Sequence, residues 1–198
     1  MGAKRLPAVQ RFIDDVRAVF AETAAPEERF RRVEPLLARL LADRDLKERS
    51  RTWPNGNDPA NDRYVNLLFY EDPDYGFVLN ALVKDPGAAT PVHDHAHSWT
   101  LYGVLEGGER VVRYRRLDDG RSPTSARLEK LGDHAVVPGY IDFVPPYDIH
   151  AEYNGEARTV GVIFRSHKVG TFLQNFYDPA TGAIRQHTGP EQVPYDLV

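Results

Sequence analysis

Residues 87–107 read Gly87-Ala88-Ala89-Thr90-Pro91-Val92-His93-Asp94-His95-Ala96-His97-Ser98-Trp99-Thr100-Leu101-Tyr102-Gly103-Val104-Leu105-Glu106-Gly107. A single residue separates His93 from His95 in this segment. Residues i and i+2 of a β-strand point to the same face of the sheet. A strand here can therefore place two imidazoles side by side on the inner wall of a barrel. Neutral imidazole binds Zn, Cu, Fe and Ni, so the pair predicts a metal site without naming the metal.

A distant segment supplies a third histidine, His150. Residues 139–154 read Gly139-Tyr140-Ile141-Asp142-Phe143-Val144-Pro145-Pro146-Tyr147-Asp148-Ile149-His150-Ala151-Glu152-Tyr153-Asn154. His97 could reach the same metal by strand alternation, or it could leave the curve of the strand and serve the pocket or the solvent. Asp94 is expected to face outward, opposite to its neighbours.

These two segments resemble the paired motifs of the cupin superfamily. The first motif is a glycine, five residues, His-x-His, four residues, a metal-ligand glutamate, six residues and a glycine. Here Gly87, His93, His95 and Gly107 fall in register, and Thr100 stands at the glutamate position. The second motif is matched by Gly139, Pro145, His150 and Asn154, with Tyr147 in place of its inner glycine. The resemblance implies a mainly β fold, the cupin double-stranded β-helix or jelly-roll barrel, with N-terminal α-helices.

The absence of the motif's glutamate, replaced by Thr100, restricts the resemblance to cupins whose metal ligands are three histidines. With Thr100 at that position the ligand set is three neutral imidazoles, which leaves the full double charge on the ion and favours anionic ligands. Three-histidine sites of this kind are similar to those of the cysteine dioxygenase-like thiol dioxygenases, and residues 64–68 and 90–95 also resemble that family. The resemblance implies Fe(II) as the metal, with Ni, Mn, Zn or Cu as alternatives, and a small-molecule thiol and O₂ as substrates.

Several features of that family are absent. The chain has no cysteine, so a cysteine–tyrosine cross-link at Thr100 cannot form. The outer Ser-x-His-x-Tyr triad of the family would fall on Ile163, Arg165 and His167. If the strand over 159–167 points its odd residues inward, Arg165 and His167 face the pocket, where an arginine suits a carboxylate or sulfonate. We predict catalytic roles for Arg165, His167 and Tyr70, and substrate binding by Arg63, Arg165 and Thr100.

The rest of the chain divides into helices and short strands. Apolar residues recur at helical spacing over residues 9–20 and again from Pro26 to Leu41, where Pro35 is expected to kink or split the helix. We expect residues 1–50 to pack on a barrel formed by residues 51–198, the two together being a single structural domain. Strands are predicted over 65–70, 76–84, 98–105, 109–116, 135–137, 141–144, 151–153 and 159–164. Residues 172–176 could add an edge strand, and the tail from Gln186 is expected to be irregular.

Composition excludes several classes of function. The 198 residues carry a net charge of −4, which gives no basic surface for nucleic acid or an anionic membrane. No apolar run approaches the roughly 18 residues that a membrane span needs. The absence of cysteine fits a reducing compartment, so a cytoplasmic location is expected. Cupins are often dimers, and the resemblance therefore adds a homodimer to the expected partners.

The sequence thus favours an Fe(II)-dependent dioxygenase that oxidises a small thiol-bearing acid to its sulfinate. Three alternatives stay open because the cupin fold hosts many chemistries. The first is a metal-dependent lyase or isomerase of carbonyl compounds, and the second is a dioxygenase of β-diketone-like carbon acids. The third is a metal-dependent binding module without catalytic activity.

Overall fold

The computed structural model describes residues 5–58, 60 and 63–197. Three helices come first: α1 (Pro7–Glu22), α2 (Pro26–Leu41) and α3 (Arg44–Ser50). The strands that follow are β1 (Val65–Glu71), β2 (Val78–Lys84), β3 (Val92–His93), β4 (Thr100–Glu106), β5 (Glu109–Arg116), β6 (Leu128–Val136), β7 (Ile141–Val144), β8 (Ile149–Asn154), β9 (Thr159–Arg165), β10 (Gln174–Tyr177), β11 (Ile184–His187) and β12 (Glu191–Pro194). Within these ranges, none of the helices has the length and apolar character needed to cross a bilayer.

The strands form two six-stranded sheets that pack face to face. The first sheet has the order β12-β1-β2-β9-β4-β7, and the second has the order β11-β10-β3-β8-β5-β6. Side chains from both sheets, including Tyr102 and Ile163 of the first and Val111 of the second, pack together between them. The protein is a mainly β, cupin-like two-sheet sandwich with three N-terminal helices, which confirms the predicted fold class.

The helices cover the outer face of the first sheet. Phe12 of α1 and Phe30 of α2 both pack on Phe164 of β9, with ring centroids 5.9 and 5.0 Å apart. Strand β9 is consequently buried on both faces along its whole length. Because side chains alternate along a strand, Phe164 faces the helices and its neighbour Arg165 faces the space between the sheets.

Helix α2 runs without a break through Pro35, contrary to the expectation that the helix splits there. Pro35 lies on the exposed side of the helix, where solvent can hydrate the carbonyl that loses its backbone partner. Helix α3 was not predicted. Its first turn is capped by Asp43, whose side chain accepts a hydrogen bond of 2.9 Å from the backbone N–H of Leu46.

Every predicted strand corresponds to an observed one, and the largest differences lie at β6 and in the tail. Strand β6 extends well beyond the predicted residues 135–137. The tail is not irregular, because β11 pairs with β10 and β12 pairs in parallel with β1. Strand β12 lies at a sheet edge, where Pro194 needs no ladder hydrogen bond. That pairing joins Val65 to Glu191 and is invisible to local sequence patterns.

Candidate metal centre

Strand pairing brings His93 and His150 together. The two residues lie directly opposite each other in the antiparallel pair β3–β8, with ring centroids 4.5 Å apart. His95 lies beyond the end of β3, and its ring is 4.9 Å from that of His150. One ligand atom from each of the three histidines lies within 4.8 Å of the others. The cluster therefore forms, although His95 reaches it from a turn rather than from strand alternation.

Asp94 anchors the turn that carries His95. Its buried carboxylate accepts hydrogen bonds from the Tyr177 hydroxyl at 2.7 Å and from the Asn175 side-chain amide at 2.8 Å. It also accepts one from the backbone N–H of Ala96, a residue held at a φ of 48°. The sequence predicts that Asp94 faces outward, opposite to its neighbours, and the carboxylate is nevertheless buried because β10 covers it.

The hydrogen bonds of the Nδ1 atoms show which ring nitrogens face the site. His93 Nδ1 lies 2.9 Å from the carbonyl of Pro91, and His150 Nδ1 lies 3.1 Å from the carbonyl of Asp148. A carbonyl can only accept, so each Nδ1 donates its proton and leaves the Nε2 lone pair free for a metal.

The spacing of the inner nitrogens fits a shared ion. His93 Nε2 and His95 Nε2 are 3.2 Å apart. Two ligands about 2.1 Å from one ion, at angles of about 90–110°, are separated by about 3.0–3.4 Å. The donor set therefore fits a first-row divalent metal held by three imidazoles.

The environment keeps the histidines in the form that binds metal. Burial lowers the pKa of His95 well below its usual value of 6.5, and the charge of Arg165 lowers it further. Burial also lowers the pKa of His150 well below 6.5, with the neighbouring His93 adding to the effect. Both rings are therefore neutral near pH 7, as a metal ligand must be.

A cavity of about 520 Å³ opens beside the cluster and is lined by His93, His95 and Arg165. Arg165 is only 5% exposed, and its Nε and Nη1 atoms have no hydrogen-bond partner. Burial lowers the pKa of this arginine to about 10, so it remains charged at neutral pH. The Tyr102 hydroxyl and the Asn66 side-chain amide also line the cavity without partners. The cavity is therefore suited to a polar, anionic ligand.

The structure places Thr100 in the same interior. Thr100 is buried on β4, opposite Arg165 in the β4–β9 pairing. Its hydroxyl has no hydrogen-bond partner. The side chain shares the face of Tyr102, two residues along the strand. Thr100 is therefore buried on the inner side of β4, but it is not among the residues that line the cavity.

Two other predicted site residues, Arg63 and Tyr70, lie outside the cavity. Arg63 is exposed and pairs with Glu191 at 3.3 Å. Tyr70 packs on Phe77 beneath the helices and donates a hydrogen bond of 2.9 Å to Asp72. These positions place neither side chain between the two sheets.

His167 does not face the cavity, because β9 ends at Arg165. Past that point the Ser166 N–H donates to the carbonyl of Trp99, and strand alternation stops. The exposed ring of His167 lies 4.8 Å from that of His97. His97 in turn packs on Phe172, so the described contacts place it outside the three-histidine cluster.

The polar residues of the cavity wall that sequence reasoning missed include Asn66, Tyr102, Glu152 and Gln174. Glu152 follows His150 by two residues on β8, so the alternation used for His93 and His95 could have found it. The other three lie on strands whose facing depends on the arrangement of the sheets.

No family model matches this chain. Among solved structures, the cupin domain of Schizosaccharomyces pombe Cnp3 is 12% identical with a TM-score of 0.40, over 52% of this chain and 64% of that one. A recombinant oxalate oxidase in complex with glycolate is 22% identical with a TM-score of 0.43, over 58% and 56%. A Klebsiella pneumoniae protein with a double-stranded β-helix domain is 19% identical with a TM-score of 0.38, over 55% and 76%. The chain thus spans less than two thirds of the first two, and these similarities concern the fold alone.

Proposed function

We propose that this protein is an Fe(II)-dependent dioxygenase that oxidises a small thiol-bearing acid to its sulfinate. The observation that carries the proposal is the convergence of three imidazoles beside a cavity that contains a buried arginine, two of whose nitrogens have no hydrogen-bond partner. The resemblance of the two histidine segments to thiol dioxygenases supplies the reaction class. The reaction balances without a further reductant, because both atoms of O₂ end on the sulfur of one thiol.

The ligand set supports a metal that acts on an anionic substrate. A ferrous ion held by His93, His95 and His150 would keep a thiol deprotonated and bring it together with O₂. Three neutral ligands leave the double charge of the ion uncompensated, which favours a thiolate over a neutral group. The hydrogen bonds from His93 and His150 to backbone carbonyls hold the rings in the required orientation.

Arg165 supports an acid as the second group of the substrate. A buried guanidinium with two nitrogens that have no hydrogen-bond partner is costly, and a substrate carboxylate would supply both the charge and the acceptors. Phe176, Leu82 and Ile163 contribute apolar surface to the same cavity, which suits a short carbon chain between the two polar ends.

The test begins with anaerobic Fe(II) loading and metal analysis of wild-type protein, His150→Ala and His134→Ala. His134 is an exposed histidine on β6 and serves as the matched control. We expect one metal per chain in the wild type and in H134A, and loss of metal in H150A. Equal metal content in all three proteins, or no metal in the wild type, would overturn the proposal.

Oxygen uptake then tests the reaction. The loaded protein is given 3-mercaptopropionate, mercaptosuccinate, cysteine or cysteamine, and the products are analysed for sulfinate. We expect uptake with the acids and little with cysteamine, which lacks the carboxylate for Arg165. Stoichiometric metal without uptake for any thiol would refute the thiol dioxygenase and favour a lyase or isomerase of carbonyl compounds.

A further inference from the structure

We infer that Glu152 is a fourth protein ligand of the metal site, supplying a carboxylate oxygen beside the three imidazoles. The inference rests on the proposed metal site and adds to it a donor on the same strand as His150. It changes the protein's donor set from three neutral nitrogens to three nitrogens and one negative oxygen.

The position of Glu152 follows from β8. His150 and Glu152 are two residues apart on this strand, so their side chains share one face. Both are buried, and Glu152 lines the cavity beside His93 and His95. Glu152 Oε1 lies 3.6 Å from His150 Nε2, the atom that faces the metal site.

That distance is close to the spacing of two ligands on one ion. With metal–nitrogen and metal–oxygen distances of about 2.1 Å, neighbouring donors lie about 3.0–3.4 Å apart. Glu152 is not among the donors that already lie within 4.8 Å of one another, so its side chain would have to turn toward the three histidines on metal binding. The contact with His150 shows that one carboxylate oxygen is already at the edge of the site.

A local hydrogen-bond pair orients the carboxylate. The Thr90 hydroxyl donates to Glu152 Oε2 and accepts from the backbone N–H of Glu152 at 2.9 Å. No described residue donates a hydrogen bond to Oε1, the oxygen nearer to His150. Thr90 thus holds one oxygen and leaves the other directed toward the imidazoles.

Charge gives the independent argument. Glu152 is 7% exposed, yet no Lys or Arg in the described part of the chain lies within ion-pair distance of its carboxylate. The nearby buried Lys84 contacts Glu109 instead, and both Lys84 and Arg165 attract the Glu152 carboxylate without contacting it. A divalent ion at the three histidines would add a cation in direct contact, which favours a buried carboxylate.

The experiment compares Glu152→Gln with Glu156→Gln, an exposed glutamate in the connection between β8 and β9. Fe(II) and Co(II) affinities are measured by anaerobic titration, and the visible spectrum of the Co(II) protein reports the ligand set. We expect E152Q to bind both ions at least about tenfold more weakly, with an altered Co(II) spectrum, and E156Q to match the wild type.

The outcomes separate this inference from the proposed function. If E152Q keeps wild-type affinity and an unchanged Co(II) spectrum while H150A still loses its metal, Glu152 is not a ligand. The three-histidine site of the proposed function would be unaffected by that result. If such a variant has also lost turnover, Glu152 would instead bind a cationic group of the substrate. A crystal structure of the metal-loaded wild type decides the matter if E152Q does not fold. Oε1 at about 2.2 Å from the ion supports the inference, and a separation above about 3 Å overturns it.

Discussion

Replacing Arg165 by methionine should stabilise the protein in the absence of substrate. Burial lowers the pKa of Arg165 from 12.5 to about 10. At about 1.4 kcal/mol per pKa unit, the fold disfavours the charged guanidinium by about 3 kcal/mol. Methionine has a similar length without the charge, and the attraction to Glu152 is already included in that net shift. Because methionine fills less volume than arginine, we expect a net gain of about 2 kcal/mol, or about 4–8 °C in Tm for a protein of this size.

The same substitution should remove the binding of acidic substrates. Hydrogen bonds to charged groups contribute about 1.5–3 kcal/mol each, so losing the arginine costs about 3 kcal/mol of binding, or about 100-fold in affinity. Arg165→Lys keeps the charge but loses the planar donors, and an intermediate loss of about tenfold is expected. Binding of cysteamine, which has no carboxylate, should change little in either variant.

Thermal unfolding and anaerobic calorimetric binding measure the two effects on matched, metal-loaded samples. Arg63→Met is the control, because Arg63 is exposed and pairs only with the exposed Glu191 among its described ion pairs. We expect that control to change stability by less than about 1 kcal/mol. The reasoning is refuted if R165M lowers Tm by several degrees, or if it weakens 3-mercaptopropionate and cysteamine equally. Either result would make Arg165 a structural residue.

Other perturbations test the histidine cluster. Burial lowers the pKa of His95 and His150 below 6.5, so at acidic pH the unfolded chain binds protons that the native protein does not. The unfolding free energy of the metal-free protein should therefore fall as the pH drops below about 6.5, by up to about 2.7 kcal/mol per pH unit, and urea melts with a flat profile would contradict this. Asp94→Ala should cost about 3 kcal/mol and weaken metal binding about tenfold, whereas Tyr177→Phe, which removes one of its hydrogen bonds, should cost about 1 kcal/mol. His97→Ala should leave the metal content unchanged, because the His97 ring packs on His167 and Phe172. A loss of metal measured by elemental analysis would show that His97 is a metal ligand.

The residues that could be predicted are those whose placement follows from local rules. The motif register predicts the three histidines, and alternation along β9 predicts that Arg165 points inward. Alternation fails for the next odd residue, His167, because β9 ends at Arg165. Beyond that point Ser166 donates its backbone N–H to the Trp99 carbonyl and accepts from the Trp99 N–H with its hydroxyl, a contact across 67 residues that could not be read from the segment itself.

The burial of two carboxylates, Asp94 and Glu152, was harder to predict for a related reason. Asp94 is buried because β10, far along the chain, covers it with Asn175 and Tyr177. Glu152 is buried because its strand lies between β3 and β5 in the second sheet. Both are charged residues in polar surroundings, and composition alone assigns such residues to the surface. Only the assembled sheets show that both carboxylates are buried.

Charge balance links the two proposals to a class of substrate. Arg165 on the first sheet and Glu152 on the second line one cavity, while the buried Lys84–Glu109 pair is neutral as a unit. With a divalent ion on the histidines, these groups carry a net charge of two positive units. A mercapto acid bound as thiolate and carboxylate brings two negative charges and leaves the buried assembly neutral. Cysteamine and β-diketonates bring at most one, so they leave uncompensated charge in a medium where it is costly.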